Sequence, residues 1–120
     1  MAVQTPVVPP VVPAGNPSYA AVGASDTIPV GSTGKYLLIV KNAGGSPDTM
    51  VVDDPTSGTG PPGAATPMNP DLSHSIPATT GERHFILDAI RFRDVNGNIN
   101  ITHSFQTSVT CIVYGPLNAL

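Results

Sequence analysis

Apolar and polar residues alternate along most of this chain, in short runs separated by turn chemistry. The strongest run is KYLLIVKN (35–42), whose β-branched and aromatic residues lie between Gly34 and Ala43-Gly44-Gly45. It predicts a strand buried on both faces or nearly so. DTMVVDD (48–54) follows a short glycine-containing loop and reads as its antiparallel hairpin partner. SYAAVG (18–23) and DTIPV (26–30) are weaker strand candidates, with Pro29 suited to a sheet edge. DLSHSIPA (71–78) predicts a short edge strand. ERHFILD (82–88) and AIRFRD (89–94) predict two strands, or one long strand with a bend. Asn96-Gly97 then sits between two alternating runs, as in a hairpin turn. Beyond it Ile99, Ile101, His103 and Phe105 share one face, and Asn100, Thr102 and Ser104 the other. TSVTCIVYG (107–115) completes the set, with Val109, Cys111 and Val113 facing one way. No stretch carries a helical apolar stripe of useful length.

Seven to eight short strands at intervals of about ten residues predict an all-β fold. The expected architecture is an antiparallel β-sandwich or jelly-roll-like barrel over residues 18–120, with an extended N-terminal arm over 1–17. Its core is expected from Tyr36, Leu38, Val40, Val51, Phe85, Leu87, Ile90, Phe92, Ile99, Ile101, Phe105, Val109, Cys111 and Val113. Residues 55–70, PTSGTGPPGAATPMNP, show no strand pattern and read as a long surface loop.

The arm, MAVQTPVVPPVVPAGNP, is a different kind of sequence. Pro6, Pro9, Pro10, Pro13 and Pro17 remove backbone donors and push their predecessors toward extended backbone. Val7, Val8, Val11 and Val12 keep it apolar, whereas disordered tails are usually polar and charged. In the polyproline conformation it would extend roughly 50 Å. A stiff apolar strip suits a groove on another surface; the plainer reading is a mobile tail. The candidate neighbour-binding residues are Pro6, Val7, Val8, Pro9, Pro10, Val11, Val12 and Pro13.

Composition narrows what such a chain can do. Its 120 residues read as one small domain, able to bury about two-thirds of its unfolded surface. Cys111 is the only cysteine, so no intrachain disulfide supports it. Three phenylalanines and no tryptophan predict a thin core, and hence help from association. Charged residues are 11% of the chain, against roughly 25% in typical soluble domains. Lys+Arg number 5 against Asp+Glu 8, for a net charge of −3, which argues against a general electrostatic grip on nucleic acid. Neither a signal-peptide pattern nor a run of the roughly 18 apolar residues of a membrane span occurs. The expectation is therefore a chain made in a cytoplasm, with no membrane partner.

Catalytic chemistry finds little purchase. His74, His84 and His103 are scattered, and are read as a loop residue, a half-exposed strand residue, and a polar or partner-facing residue. Asp53-Asp54 before Pro55 reads as a strand end, because adjacent strand residues point to opposite faces. DVNGN (94–98) departs from a calcium loop in its glycine position and lacks the bidentate glutamate. Cys111 lies in an apolar run, as a small buried hydrophobe would. No nucleophile elbow, phosphate loop or dinucleotide fingerprint is present in the sequence. The chain reads as no enzyme, with no cofactor and no metal site.

Five stretches together carry a resemblance: PAGNPSYAA (13–21), DTIPVGSTGKYLLIVKNAGG (26–45), PATTGERHFI (77–86), RDVNGNINITHS (93–104) and TSVTCIVY (107–114). They resemble small β-sandwich capsid decoration proteins, also called minor capsid or cement proteins, of tailed bacteriophages, especially those of actinobacteria. The resemblance runs over about residues 13–115 and rests on structural motifs. It implies a protein made in the bacterial host cytoplasm and found in the virion, on the outer capsid surface. Its implied partner is the major capsid protein, and it is implied to be a homo-oligomer, trimer favoured, bracing junctions between capsomers. The proline-valine start and the 55–70 loop depart from the family pattern and leave the occupied symmetry axis open. A head–tail joining or tail structural protein, or a host-surface adhesion domain using the 55–70 loop, are the rival classes.

Overall fold

The computed structural model describes residues 2–6, 19–55 and 71–117. The strands among them are β1 (Ala2–Val3), β2 (Ala20–Ala21), β3 (Ser25–Pro29), β4 (Lys35–Asn42), β5 (Asp48–Val52), β6 (Leu72–Ile76), β7 (Gly81–Asp88), β8 (Asn98–His103) and β9 (Val109–Leu117). A one-turn helix, α1 (Ala89–Phe92), follows β7. The strands form two sheets, ordered β1-β3-β8-β5-β6 and β2-β9-β4-β7. The chain is thus an all-β sandwich, and every pairing is antiparallel except that of β1 with β3.

Alternation places the core between the sheets. Tyr36, Leu38 and Val40 of β4 are buried and the intervening Leu37 and Ile39 half-buried, so one face of this strand is covered and the other partly so. Val109, Cys111 and Val113 of β9 lie beside them. The facing sheet contributes Ile28, Met50, Val52, Ile76, Ile99 and Ile101. Burying an aliphatic side chain of this size contributes roughly 1.5–3 kcal/mol. Aliphatic residues therefore fill the space that the scarce aromatics leave.

Successive strands mostly change sheet, and this overturns both expected hairpins. Among consecutive strands of the described residues only β5 and β6 pair. The 48–54 run is not the partner of 35–42, because β5 and β4 lie in different sheets. Gly97 does adopt a φ of +81°, where glycine carries no Cβ penalty. Its turn leads in from α1, however, and β8 pairs with β3 and β5.

Residues 89–94 are not a strand. Asp88 caps α1 by accepting from the Ile90 amide at 3.0 Å, and Arg93 N–H closes the turn on the Ala89 carbonyl at 3.0 Å. The turn faces Ala89 and Phe92 inward and leaves Ile90 72% exposed, so Ile90 is not core. Val51 is only half-buried, because the parity of β5 points Met50 and Val52 inward. Phe105 is half-buried against the core. His74 lies on the edge strand β6 rather than in a loop.

The N-terminus also departs from expectation. Ala2 and Val3 pair in parallel with Asp26 and Thr27, and the Gln4 amide donates to the Thr27 carbonyl at 2.8 Å. The first residues of the expected arm are therefore an edge strand of the sandwich. Pro6 is half-buried. Val7, Val8, Pro9, Pro10, Val11, Val12 and Pro13 lie outside the described residues, as does the expected loop beyond Pro55.

Candidate functional site

The most concentrated polar chemistry lies inside the five-stranded sheet, where β8 is flanked by β3 and β5. Each of these strands has a polar residue at an inward position: Asp26, His103 and Asp48. All three share parity with buried aliphatics of their strands, Ile28 with Asp26, Ile99 and Ile101 with His103, Met50 and Val52 with Asp48. His103 Nδ1 meets Asp48 Oδ2 at 2.6 Å, and Asp48 Oδ1 accepts the Phe105 amide at 3.1 Å. On its other side, His103 Nε2 faces Asp26 Oδ2 at 3.9 Å. Asp26 Oδ1 accepts the Gly23 amide at 2.9 Å. The ring is thus seated between two buried carboxylates: of the expected polar or partner-facing position, the polar alternative holds, at an interior site.

Gln4 closes this network from the N-terminal segment. Its Nε2 donates to Asp26 Oδ2 at 3.3 Å and to the Ala21 carbonyl at 3.2 Å, and the residue is 5% exposed. One side chain therefore joins β1 to the buried acid of β3 and to β2 of the other sheet. An Asp–His pair is the base half of a nucleophilic triad. Here the distal nitrogen faces a second carboxylate and the ring is buried, so the arrangement serves architecture.

A second acidic group gathers at the end of β5. The Asp54 amide donates to Asp71 Oδ1 at 2.8 Å, and Arg91 of α1 reaches the buried Asp54 carboxylate at 3.1 Å. Asp53 and Asp54 follow the strand, one exposed and one buried, as expected of a strand end. Desolvation, followed by the charges of Asp71 and Asp54, raises the Asp53 carboxyl above its ordinary range. Asp94 organises the turn into β8. Its carboxylate accepts from Asn96 N at 2.8 Å, Asn98 N at 3.0 Å and Asn100 Nδ2 at 2.8 Å. The Asn100 bond first, then the Asn98 amide, lowers its pKa.

The remaining candidates are dispersed. His84 is exposed on β7 and pairs with Glu82 at 2.9 Å, while His74 lies against the Phe85 ring at 5.3 Å between centroids. Burial, aided by the Asp26 charge, pushes the Cys111 thiol up to about 12, which leaves it protonated and inert. Among the described residues no group of three or more His, Cys, Asp or Glu side chains is placed to hold a metal ion. No helix among them is long and apolar enough to cross a membrane. Of the candidate arm residues, the structure places Pro6 two positions after the Gln4 seat.

The seat was missed in the sequence, although a signal exists. DTIPV and DTMVV both begin with an aspartate in phase with an apolar residue two positions on. An acid at an inward position of a strand needs a buried partner. Comparisons with family models, curated proteins and solved structures return no match.

Proposed function

We propose that this chain is a bacteriophage capsid decoration protein, binding the outer face of an icosahedral shell and bracing the junctions between capsomers. The observation that carries the reading is the apolar, proline-spaced sequence from Pro6 to Pro13, beginning where the sheet-anchored segment ends. Resemblance of residues 13–115 to that family supports it. So does the β-sandwich, together with a surface drawn from a chain with 11% charged residues.

The mechanism is contact by avidity. Many copies on one shell hold firmly although each contact is weak. Val7, Val8, Val11 and Val12 supply apolar area worth roughly 1.5–2 kcal/mol each if fully buried, before ordering costs. Prolines reduce those costs by limiting the conformations lost on docking. The major capsid protein is the proposed partner, in a homo-oligomer with a trimer favoured.

Cosedimentation with undecorated shells tests this reading. Truncating residues 2–13 would also strip Gln4 from Asp26, so the suitable variant replaces the four valines with serine and leaves the seat intact. The native chain should pellet with shells and the serine variant should stay in the supernatant. Equal occupancy by both would refute the role of the strip. Copies per virion separate decoration from joining, since connectors number only a few to about a dozen for their symmetry.

A further inference from the structure

We propose that the outer face of the four-stranded sheet is an interface between two copies of this chain, packed β4 over the partner's β7 about a two-fold axis. The two outer faces of the sandwich differ in kind. On the five-stranded sheet the outward positions of β8 and β6 hold Asn98, Asn100, Thr102, Ser73 and Ser75. On the four-stranded sheet the middle of the outer face is apolar. Leu37 of β4 stands between Ile86 of β7 and Tyr114 of β9, and Ile39 stands between His84 and Ile112. Ile86 is 54% exposed, and Leu37, Ile39 and Tyr114 are half-buried. Single exposed apolar residues are ordinary, but two adjoining rows of them on one sheet mark a contact surface.

The charges bounding these rows identify the occupant. At one end Lys41 lies opposite Glu82, with Nζ 3.7 Å from Oε1, and at the other Lys35 lies opposite Asp88. Both lysines thus belong to β4 and both acids to β7. A two-fold axis running along the strands, between β4 and β7, keeps each row at its own height and exchanges the two strands. It sets Lys41 over the partner's Glu82, Lys35 over the partner's Asp88, and Leu37 over the partner's Ile86. An axis across the strands would instead set Glu82 over the partner's Asp88 and Lys41 over the partner's Lys35, and like charges oppose that docking. The face is therefore complementary to itself in one orientation, as an isologous contact requires. Aligned sheets pack against each other in this way inside sandwiches. The overlap is two strands per copy, a small area, so the pair is expected to be weak and reversible. Two copies close the contact, which is compatible with a three-fold contact elsewhere on the molecule. The proposal rests on none of the shell reading.

Sedimentation equilibrium of the full-length chain from micromolar to millimolar concentration is the first measurement, with the mass rising toward two copies. A single copy throughout would overturn the proposal. Lys41→Glu and Glu82→Lys, both at exposed positions, each bring like charges together across the axis and should weaken pairing about tenfold or more. Mixed in equal amounts, the two variants regain opposite charges across the axis and should pair with each other more tightly than either pairs with itself. A misfolded variant would not be rescued in this way. Self-association unchanged in both variants, or no recovery on mixing, would overturn the assignment of this face. Ile86→Ser should also weaken pairing, and an unaltered association constant would count against the apolar contact. Shell cosedimentation is a separate readout, so failure of either proposal leaves the other standing.

Discussion

At the scale of single residues, the interior of the sheet is where charge matters most. Asp48 is 0% and Asp26 1% exposed, and His103 stands between them. Removing one partner from a buried charged group costs about 3–5 kcal/mol. His103→Ala should therefore lower unfolding free energy by about that amount in urea titration at pH 7, whereas His84→Ala, at an exposed pair, should change it by less than about 1 kcal/mol. Cys111 makes a pH prediction. Its pKa rises from 9.0 to about 12 on folding. A raised folded value stabilises fully below the unfolded value and loses that contribution as pH climbs toward the folded one. Stability should accordingly fall between pH 9 and 12, with a slope that Cys111→Ala reduces in denaturant titrations at pH 7 and 10.5. His103 shows how far the sequence was legible here. Its parity with Ile99 and Ile101 marks an inward position. Its partners lie 55 and 77 positions away and are adjacent only through strand order.

Turns and strand ends show local chemistry at its most decisive. The Asp94 carboxylate collects two amides and the Asn100 side chain within a few residues, while Gly97 supplies the positive φ. Asp94→Ala should destabilise by about 1–3 kcal/mol through unmade hydrogen bonds, and amide exchange should quicken first at Asn96 and Asn98. Because Asp94 has a lowered pKa, its contribution is present above the unfolded value and lost as pH falls through the folded one. Gly81 opens β7 where a Cβ would fall on the Pro77 carbonyl. Gly81→Ala should reduce the thermal midpoint, by the few degrees that about 1–3 kcal/mol of overpacking brings to a domain this small. Strand positions were readable because period-two alternation is local. The single turn at 89–92 was not, since AIRF suits strand or helix and the cap at Asp88 decided it. Strand partners were unreadable for another reason: successive strands cross between sheets, so neighbours in sequence are seldom neighbours in space.

For the molecule as a whole, the N-terminal segment is the element on which the proposed function turns. Its first residues belong to the sheet through Ala2, Val3 and Gln4, and the valine-proline strip follows them directly. Substituting Val7, Val8, Val11 and Val12 with serine should leave the denaturation midpoint of the sandwich unaltered while abolishing cosedimentation with shells. A lowered midpoint would instead make the strip part of the fold. The all-β class, the inward parity of Leu38, Ile99 and Val109, the edge placement of β6 and the turn at Gly97 were determined by the sequence alone. Each depends on residues a few positions apart, where pleat, φ preference and side-chain chemistry act directly. Sheet order, the seating of His103 between Asp48 and Asp26, and the docking of Gln4 were decided only by tertiary structure. Those contacts join distant residues, and which strands lie side by side is settled by burying both sheets at once.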